Sequence, residues 1–102
     1  MYPIGYYVKN QKGQYLLWFG CSYDFWKDYG KFLAVGVGDD EEQGFSRAVI
    51  NSFKAYFGQE AIWYEPWQWY AVPIPANLIE DPDKVKKIVQ FIAEAAAHCD
   101  NH

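Results

Sequence analysis

The sequence has few of the side chains that small catalytic sites usually use, with only two histidines and two cysteines among 102 residues. It has no Gly-x-x-x-x-Gly-Lys phosphate loop, no His-Glu-x-x-His pair and no Cys-x-x-Cys pair. The commonest nucleotide-binding, zinc-protease and redox signatures are therefore absent. The segment Gly36-Val37-Gly38 is followed at once by four acidic residues, which would repel a phosphate group, so its glycines indicate the end of a strand.

Basic groups are also scarce, since nine Lys and Arg residues stand against 13 carboxylates and the formal net charge is −4. This balance argues against binding of duplex nucleic acid, because that affinity comes largely from neutralised phosphates. No apolar run is long enough to cross a bilayer, and the first ten residues lack the pattern of a signal peptide. We therefore expect no membrane partner and a cytoplasmic location, in which Cys21 and Cys99 are thiols rather than a disulfide.

Aromatic side chains are present in excess, with five Trp, nine Tyr and seven Phe. The length fits one domain, so residues 1–102 are expected to form a single unit. A domain of this size buries only about 60 to 70% of the surface that its unfolded chain exposes. Some rings should therefore stay at the surface, where they would contact a ligand, a partner protein or a second copy of the chain.

The pattern of apolar residues predicts four or five strands. Residues 4–9 and 14–21 read as a hairpin, because the segment 10–13 ends in a glycine that accepts positive φ. In residues 31–37 apolar side chains occur at odd and at even positions, which is typical of a central strand covered on both faces. Segments 61–64 and 67–74 read as two strands or as one bent strand, because Pro66 cannot donate to a ladder.

Helical spacing predicts one short connector and two long helices. The connector extends from Ser22 to Gly30, and the first long helix is opened by the acidic run 39–42 and closed by Gly58. Its main apolar stripe is Phe45, Val49, Phe53 and Tyr56. A second line of this helix, Ile50 and Phe57, is expected to be available to a partner.

The last helix has the clearest signals in the sequence, with Asp81 as its cap and Pro82 at its first position. Its apolar face is predicted to consist of Val85, Ile88, Val89, Ile92 and Ala96. The whole pattern predicts an α+β fold, a two-layer sandwich in which two long helices pack on one face of a mostly antiparallel sheet. The opposite face of the sheet is then expected to be uncovered.

The candidate binding residues are aromatic and lie mainly in the segment around Pro66. They are Trp18, Trp26, Trp63, Trp67, Trp69 and Tyr70. On a regular strand Trp67 and Trp69 share one face and Tyr70 lies on the other, so one set of rings can pack in the core while the other stays exposed. For any single Trp, a place in the core is an equally good interpretation. The leading hypothesis is a non-catalytic binding domain that forms a homo-oligomer and needs no cofactor.

Three further hypotheses come from polar residues. Glu65 with Asp24 or Asp28 would supply the two carboxylates of a small hydrolase acting on a sugar-like substrate. The terminal residues His98, Cys99 and His102 have spacing that can hold zinc, although ligands on a fraying end lack support. The acidic run 39–42 would suit an immunity or inhibitor protein that covers a basic partner.

The string from Tyr15 to Leu33, YLLWFGCSYDFWKDYGKFL, resembles a segment found late in some bacterial PD-(D/E)XK nuclease-like proteins. The resemblance covers about a fifth of the chain. It implies metal-dependent phosphodiester cleavage, which uses a carboxylate-x-Lys pair on a strand. This sequence has no Asp or Glu two residues before any Lys. The resemblance therefore implies an accessory module at most, in the style of the orphan products of mobile gene cassettes and phages, and no catalytic residue follows from it.

Overall fold

The computed structural model describes residues 4–30, 33–39 and 44–100. Five strands form one antiparallel sheet in the order β1-β2-β3-β5-β4, which confirms the α+β class. The elements are β1 (Ile4–Lys9), β2 (Tyr15–Cys21), α1 (Tyr23–Tyr29), β3 (Leu33–Gly38), α2 (Arg47–Phe57), β4 (Ile62–Tyr64), β5 (Trp69–Pro73), α3 (Ala76–Ile79) and α4 (Lys84–Asp100). Within these ranges, none of the helices combines the length and the apolar character that a membrane crossing requires.

The two long helices, α2 and α4, pack against each other and against one face of the sheet, as predicted. We call this the helix face. The strands contribute Leu17, Val35, Val37 and Val72 to its core, and the helices contribute Val49, Ile50, Phe53, Ala95 and Cys99. β3 lies in the centre of the sheet, in agreement with its apolar residues at both parities.

The hairpin of β1 and β2 contains an irregularity that strict alternation does not predict. Val8 pairs with Leu17 but Lys9 pairs with Tyr15, so β2 has one extra residue at Leu16. Leu16 and Leu17 are consequently both buried in the core, and Tyr15 changes to the opposite face of the sheet. The turn itself forms as expected, with Gly13 at φ 81°.

The helix α2 begins eight residues later than the acidic run suggested, so that prediction is wrong. Its first residue is Arg47, and the hydroxyl of Ser46 accepts the N–H of Val49 at 3.2 Å as the N-cap. Asp39 is in a bend and pairs with Arg47 at 2.8 Å, while residues 40–42 lie outside the described ranges. The Ser46 hydroxyl binds a backbone N–H that has no partner within the helix, and this bond determines where α2 begins more strongly than the attraction of carboxylates several residues away.

The predicted second line of α2 is also not available to a partner. Ile50 and Phe57 are buried, because α2 meets the sheet along one side and α4 along the other. Tyr56, which was assigned to the core stripe, is exposed. The helix ends at Gly58, as predicted.

The predicted core face of α4 is confirmed at Ile88, Ile92 and Ala96 but not at its two valines. Val85 and Val89 are 73% and 58% exposed, whereas Ala95 and Cys99 are fully buried. The apolar stripe of α4 is wider than the surface that the sheet and α2 cover, so one flank of the helix is left in solvent.

The cap of the last helix behaves as predicted at Asp81. Its carboxylate accepts the backbone N–H of Asp83 at 2.8 Å and the ammonium group of Lys87 at 2.6 Å. Both bonds lower the pKa of the Asp81 carboxyl from its usual value, and the bond from Lys87 has the larger effect. The predicted first helical position of Pro82 is wrong, however, because α4 begins two residues later at Lys84 and Pro82 lies in the preceding turn.

The segment around Pro66 forms two strands rather than one bent strand. β4 and β5 pair as a hairpin whose turn is residues 65–68. The N–H of Trp67 bonds to the carbonyl of Tyr64 and that of Gln68 to the carbonyl of Glu65. Trp67 therefore lies in the turn and not on a strand beside Trp69.

The start of α2 can be tested by replacing its cap. We expect Ser46→Ala to lower the free energy of unfolding by about 1 kcal/mol, because the N–H of Val49 loses its acceptor. Asp39→Ala is the control and should cost about 0.5 kcal/mol or less, since it removes only a solvent-exposed ion pair. Urea unfolding followed by Trp fluorescence measures both. Equal losses, or a larger loss for Asp39→Ala, would contradict the assigned helix start.

Candidate aromatic binding site

The face of the sheet opposite α2 and α4 carries a row of aromatic side chains. Tyr7 of β1 lies beside Trp18 of β2 in the strand register. Trp69 follows at the start of β5, and Trp67 reaches the same rings from the β4–β5 turn. We call these four residues the aromatic groove.

Two rings of the groove, those of Trp18 and Trp69, pack directly against glycine residues of the sheet. A Cβ on Gly5 or on Gly20 would lie 2.6 Å from the indole of Trp18, and one on Gly36 would lie 3.1 Å from the indole of Trp69. Both indoles therefore lie close to the backbone of the sheet, where any larger side chain would displace them. This explains why Trp18 is buried on a face that neither long helix covers.

The three indoles of the groove stand nearly perpendicular to one another. Trp18 and Trp69 have centroids 5.8 Å apart at 87°, and Trp67 lies 6.4 Å from each of them at 88° and 79°. Edge-to-face pairs of this kind contribute about 0.5 to 1.5 kcal/mol each beyond their burial. The rings thus hold one another in fixed orientations.

Two further contacts connect this row to the rest of the fold. Phe45, just before α2, is buried with its ring 5.6 Å from that of Trp69 and 5.9 Å from that of Tyr15. On the other side, Tyr64 packs 5.2 Å from Trp67 and donates its hydroxyl proton to Asp28 of α1 at 3.0 Å. The predicted open face is therefore largely closed by its own aromatic residues.

What remains open is a shallow groove of about 220 Å³ lined by Tyr7, Trp18, Trp67 and Trp69. None of the described residues that line it is charged. A second, narrow cavity of about 10 Å³ shares the three indoles of the groove and has room for one water molecule at most. The described lining thus consists of aromatic side chains, whose polar groups are one phenol hydroxyl and three indole N–H groups.

The structure brings together only three of the predicted binding residues, Trp18, Trp67 and Trp69. Trp26 is on α1, where it packs against Tyr23. Trp63 and Tyr70 pack against each other at 4.9 Å on the helix face, where Lys54 lies over the Tyr70 ring. These residues form separate surfaces.

Sequence reasoning missed Tyr7 as a member of the groove. The signal that could have found it is the hairpin register, which places Tyr7 directly opposite Trp18 once the turn at residues 10–13 is assigned. That register also depends on the extra residue in β2, and the sequence does not reveal a bulge.

The carboxylates predicted as an acid and base are held on different sides of the sheet. Asp28 accepts the hydroxyl of Tyr64, whereas Glu65 accepts the indole N–H of Trp63 at 2.5 Å. Trp63 and Tyr64 are adjacent in β4 and so point to opposite faces. Asp24 is half-buried in the first turn of α1. The hydrogen bonds therefore do not direct Glu65 toward either aspartate.

The predicted metal ligands are also separated where the structure describes them. His98 is exposed and stacks on Tyr56 at 4.3 Å, whereas Cys99 is buried in the core. Burial raises the pKa of the Cys99 thiol to about 12, which disfavours the thiolate that a metal binds. His102 lies outside the described residues. Within residues 4–30, 33–39 and 44–100, no three His, Cys, Asp or Glu side chains are grouped to hold a metal ion.

No protein-family model, curated protein or solved structure matches the chain. The segment that resembles nuclease-like proteins corresponds to β2, α1 and the first residue of β3. It supplies Tyr15 and Trp18 to the aromatic row. Its relation to those proteins stays a prediction.

The burial of Cys99 can be tested by thiol labelling. In a Cys21→Ser variant at about pH 8, we expect Cys99 to react at least about a hundredfold more slowly than in urea, because the reagent reaches it only through opening of the fold. A Cys99→Ala variant, which keeps the half-exposed Cys21, is the matched control and should react quickly without urea. An aromatic disulfide reagent measures both rates. Rapid labelling of Cys99 in the folded protein would contradict its place in the core.

Proposed function

We propose that this protein is a non-catalytic binding module and that the aromatic groove is its binding site. One observation carries the proposal: Trp67 and Trp69 remain half-buried around a concave surface, although Trp18 beside them is fully packed. Because the indoles are fixed by one another and by the glycines below, ligand binding does not have to order them.

The ligand class follows from the lining. Because none of the described residues that line the groove is charged, an ionic ligand would lose water there without gaining a partner among them, so an uncharged ligand is favoured. The volume of about 220 Å³ lies below the range of about 300 to 1,000 Å³ that is typical of drug-sized ligands. The groove therefore suits a single ring with one apolar face and a polar rim, such as a pyranose sugar.

A hydrolytic role on the same substrate class is not favoured by the positions of the carboxylates. Asp28 and Glu65 are each engaged with a ring, Tyr64 and Trp63, that points to a different face of the sheet. Catalysis by such a pair needs both carboxyl groups at the scissile bond. A cytoplasmic location and association into a homo-oligomer complete the proposed function.

The five indole N–H signals in a proton–nitrogen NMR spectrum provide a direct test. On titration with methyl β-glucoside and methyl β-galactoside, we expect shifts at Trp18, Trp67 and Trp69. Trp26 and Trp63 lie outside the groove and serve as internal controls. Silence of all three groove signals with both glycosides, or equal shifts at all five indoles, would remove the basis of the proposal.

Substitutions separate binding from catalysis. Trp67→Ala should weaken glycoside binding about fivefold, because stacking on one ring is worth about 1 kcal/mol. Trp26→Ala removes an exposed Trp outside the groove and should leave affinity unchanged. Glu65→Gln should also keep the affinity. If wild-type protein instead cleaved an aryl glycoside and Glu65→Gln abolished that cleavage, the hydrolase hypothesis would replace this one.

A further inference from the structure

The two edges of the sheet differ in a way that bears on assembly. β4, at one edge, has three residues and leads into the turn that contains Pro66, so it offers little backbone for pairing. β1, at the other edge, has six residues and pairs only with β2 among the described strands. Its outer side presents a row of backbone donors and acceptors.

The helix face of β1 is exposed as well. Ile4 and Tyr6 point to this face, and they are 71% and 74% exposed because α4 lies over β2 rather than over β1. The flank of α4 nearest to β1 carries Val85 and Val89, which are also exposed. These two valines continue the line of Ala93, which lines a surface groove together with Val8. We call Ile4, Tyr6, Val85 and Val89 the edge patch.

We propose that β1 pairs antiparallel with β1 of a second copy of this chain, joining two sheets into one of ten strands. A two-fold axis beside β1 satisfies the backbone groups of both edges with a single self-complementary contact. Antiparallel neighbours share a face, so with the two-fold axis beside Tyr6 the two copies of this residue lie next to each other within the joined edge patches.

The distance between the strands supports a second copy of the chain as the partner of β1. In the joined sheet α4 of each copy lies over β2, and three strand intervals separate the two β2 strands, which is about 14 Å. Two helices in direct contact lie only about 8 to 10 Å apart. The remaining gap has the width of side chains, and the edge patches of both copies fill it.

The charges of α4 fit the same arrangement. The two-fold axis sets the helices antiparallel, so Lys86 in the first turn of one helix faces Asp100 in the last turn of the other, since both lie on the same side of α4 as Ala93. Asp100 is already held near the end of β1 by a 2.9 Å hydrogen bond from Asn10. Opposite charges thus meet at both ends of the paired helices, and their dipoles oppose.

Sedimentation equilibrium of the full chain over a range of concentrations tests the proposal. We expect a dimer for the wild type and a dissociation constant raised at least about a hundredfold by Tyr6→Glu, which places like charges close together. Val89→Glu, on the helix side of the edge patch, should also raise the dissociation constant of the dimer. Tyr23→Glu alters an exposed tyrosine of α1 and should leave the dimer unchanged.

A mixture of variants makes the test specific to the two-fold contact. Tyr6→Glu and Tyr6→Lys should each be monomeric and should form a heterodimer when combined, because opposite charges then meet across the axis. A wild type that stays monomeric, or a dimer that survives both Tyr6→Glu and Val89→Glu, would overturn the proposal. Trp67→Ala should keep the dimer, so failure of the groove as a binding site and failure of this interface are distinguishable.

Discussion

The packing of Trp18 against the backbone of Gly5 and Gly20 is the contact on which the architecture depends. Two long helices can cover only one face of a five-stranded sheet, and in this protein they cover the face that carries Leu17 and Val35. The other face has to be closed by side chains of the sheet itself. Because glycine leaves space directly above the backbone, an indole packs closely against it and is buried without a second helical layer.

The extra residue in β2 extends this packing across the sheet. By turning both Leu16 and Leu17 to the helices, the bulge places Tyr15 on the same side as Trp18. Tyr15 then stacks on Tyr7 at 4.5 Å and contacts Phe45 next to the start of α2. A local irregularity therefore links the aromatic row to the helical layer, and it makes the groove a rigid part of the fold rather than a set of surface rings.

The aromatic groove and the edge patch use different parts of the same sheet. The groove lies on the face opposite the long helices, whereas the edge patch is on the helix face of β1 beside α4. Tyr7 and Tyr6 are neighbours in one strand and serve the two surfaces separately, because successive side chains of a strand point to opposite faces. Pairing at the edge would therefore leave the groove accessible in each copy.

Local signals in the sequence determined the element types, the turn at Gly13, the end of α2 at Gly58 and the cap at Asp81, because each depends on residues within a few positions. Only the tertiary structure decided which aromatic residues are core, where α2 begins and which flank of α4 is exposed. Pattern alone placed Ile50 outside and Val85 inside, and both placements were wrong. Burial depends on the neighbours that the topology supplies, and Gly5, which helps to accommodate Trp18, comes into contact with it only after strands β1 and β2 have paired in register.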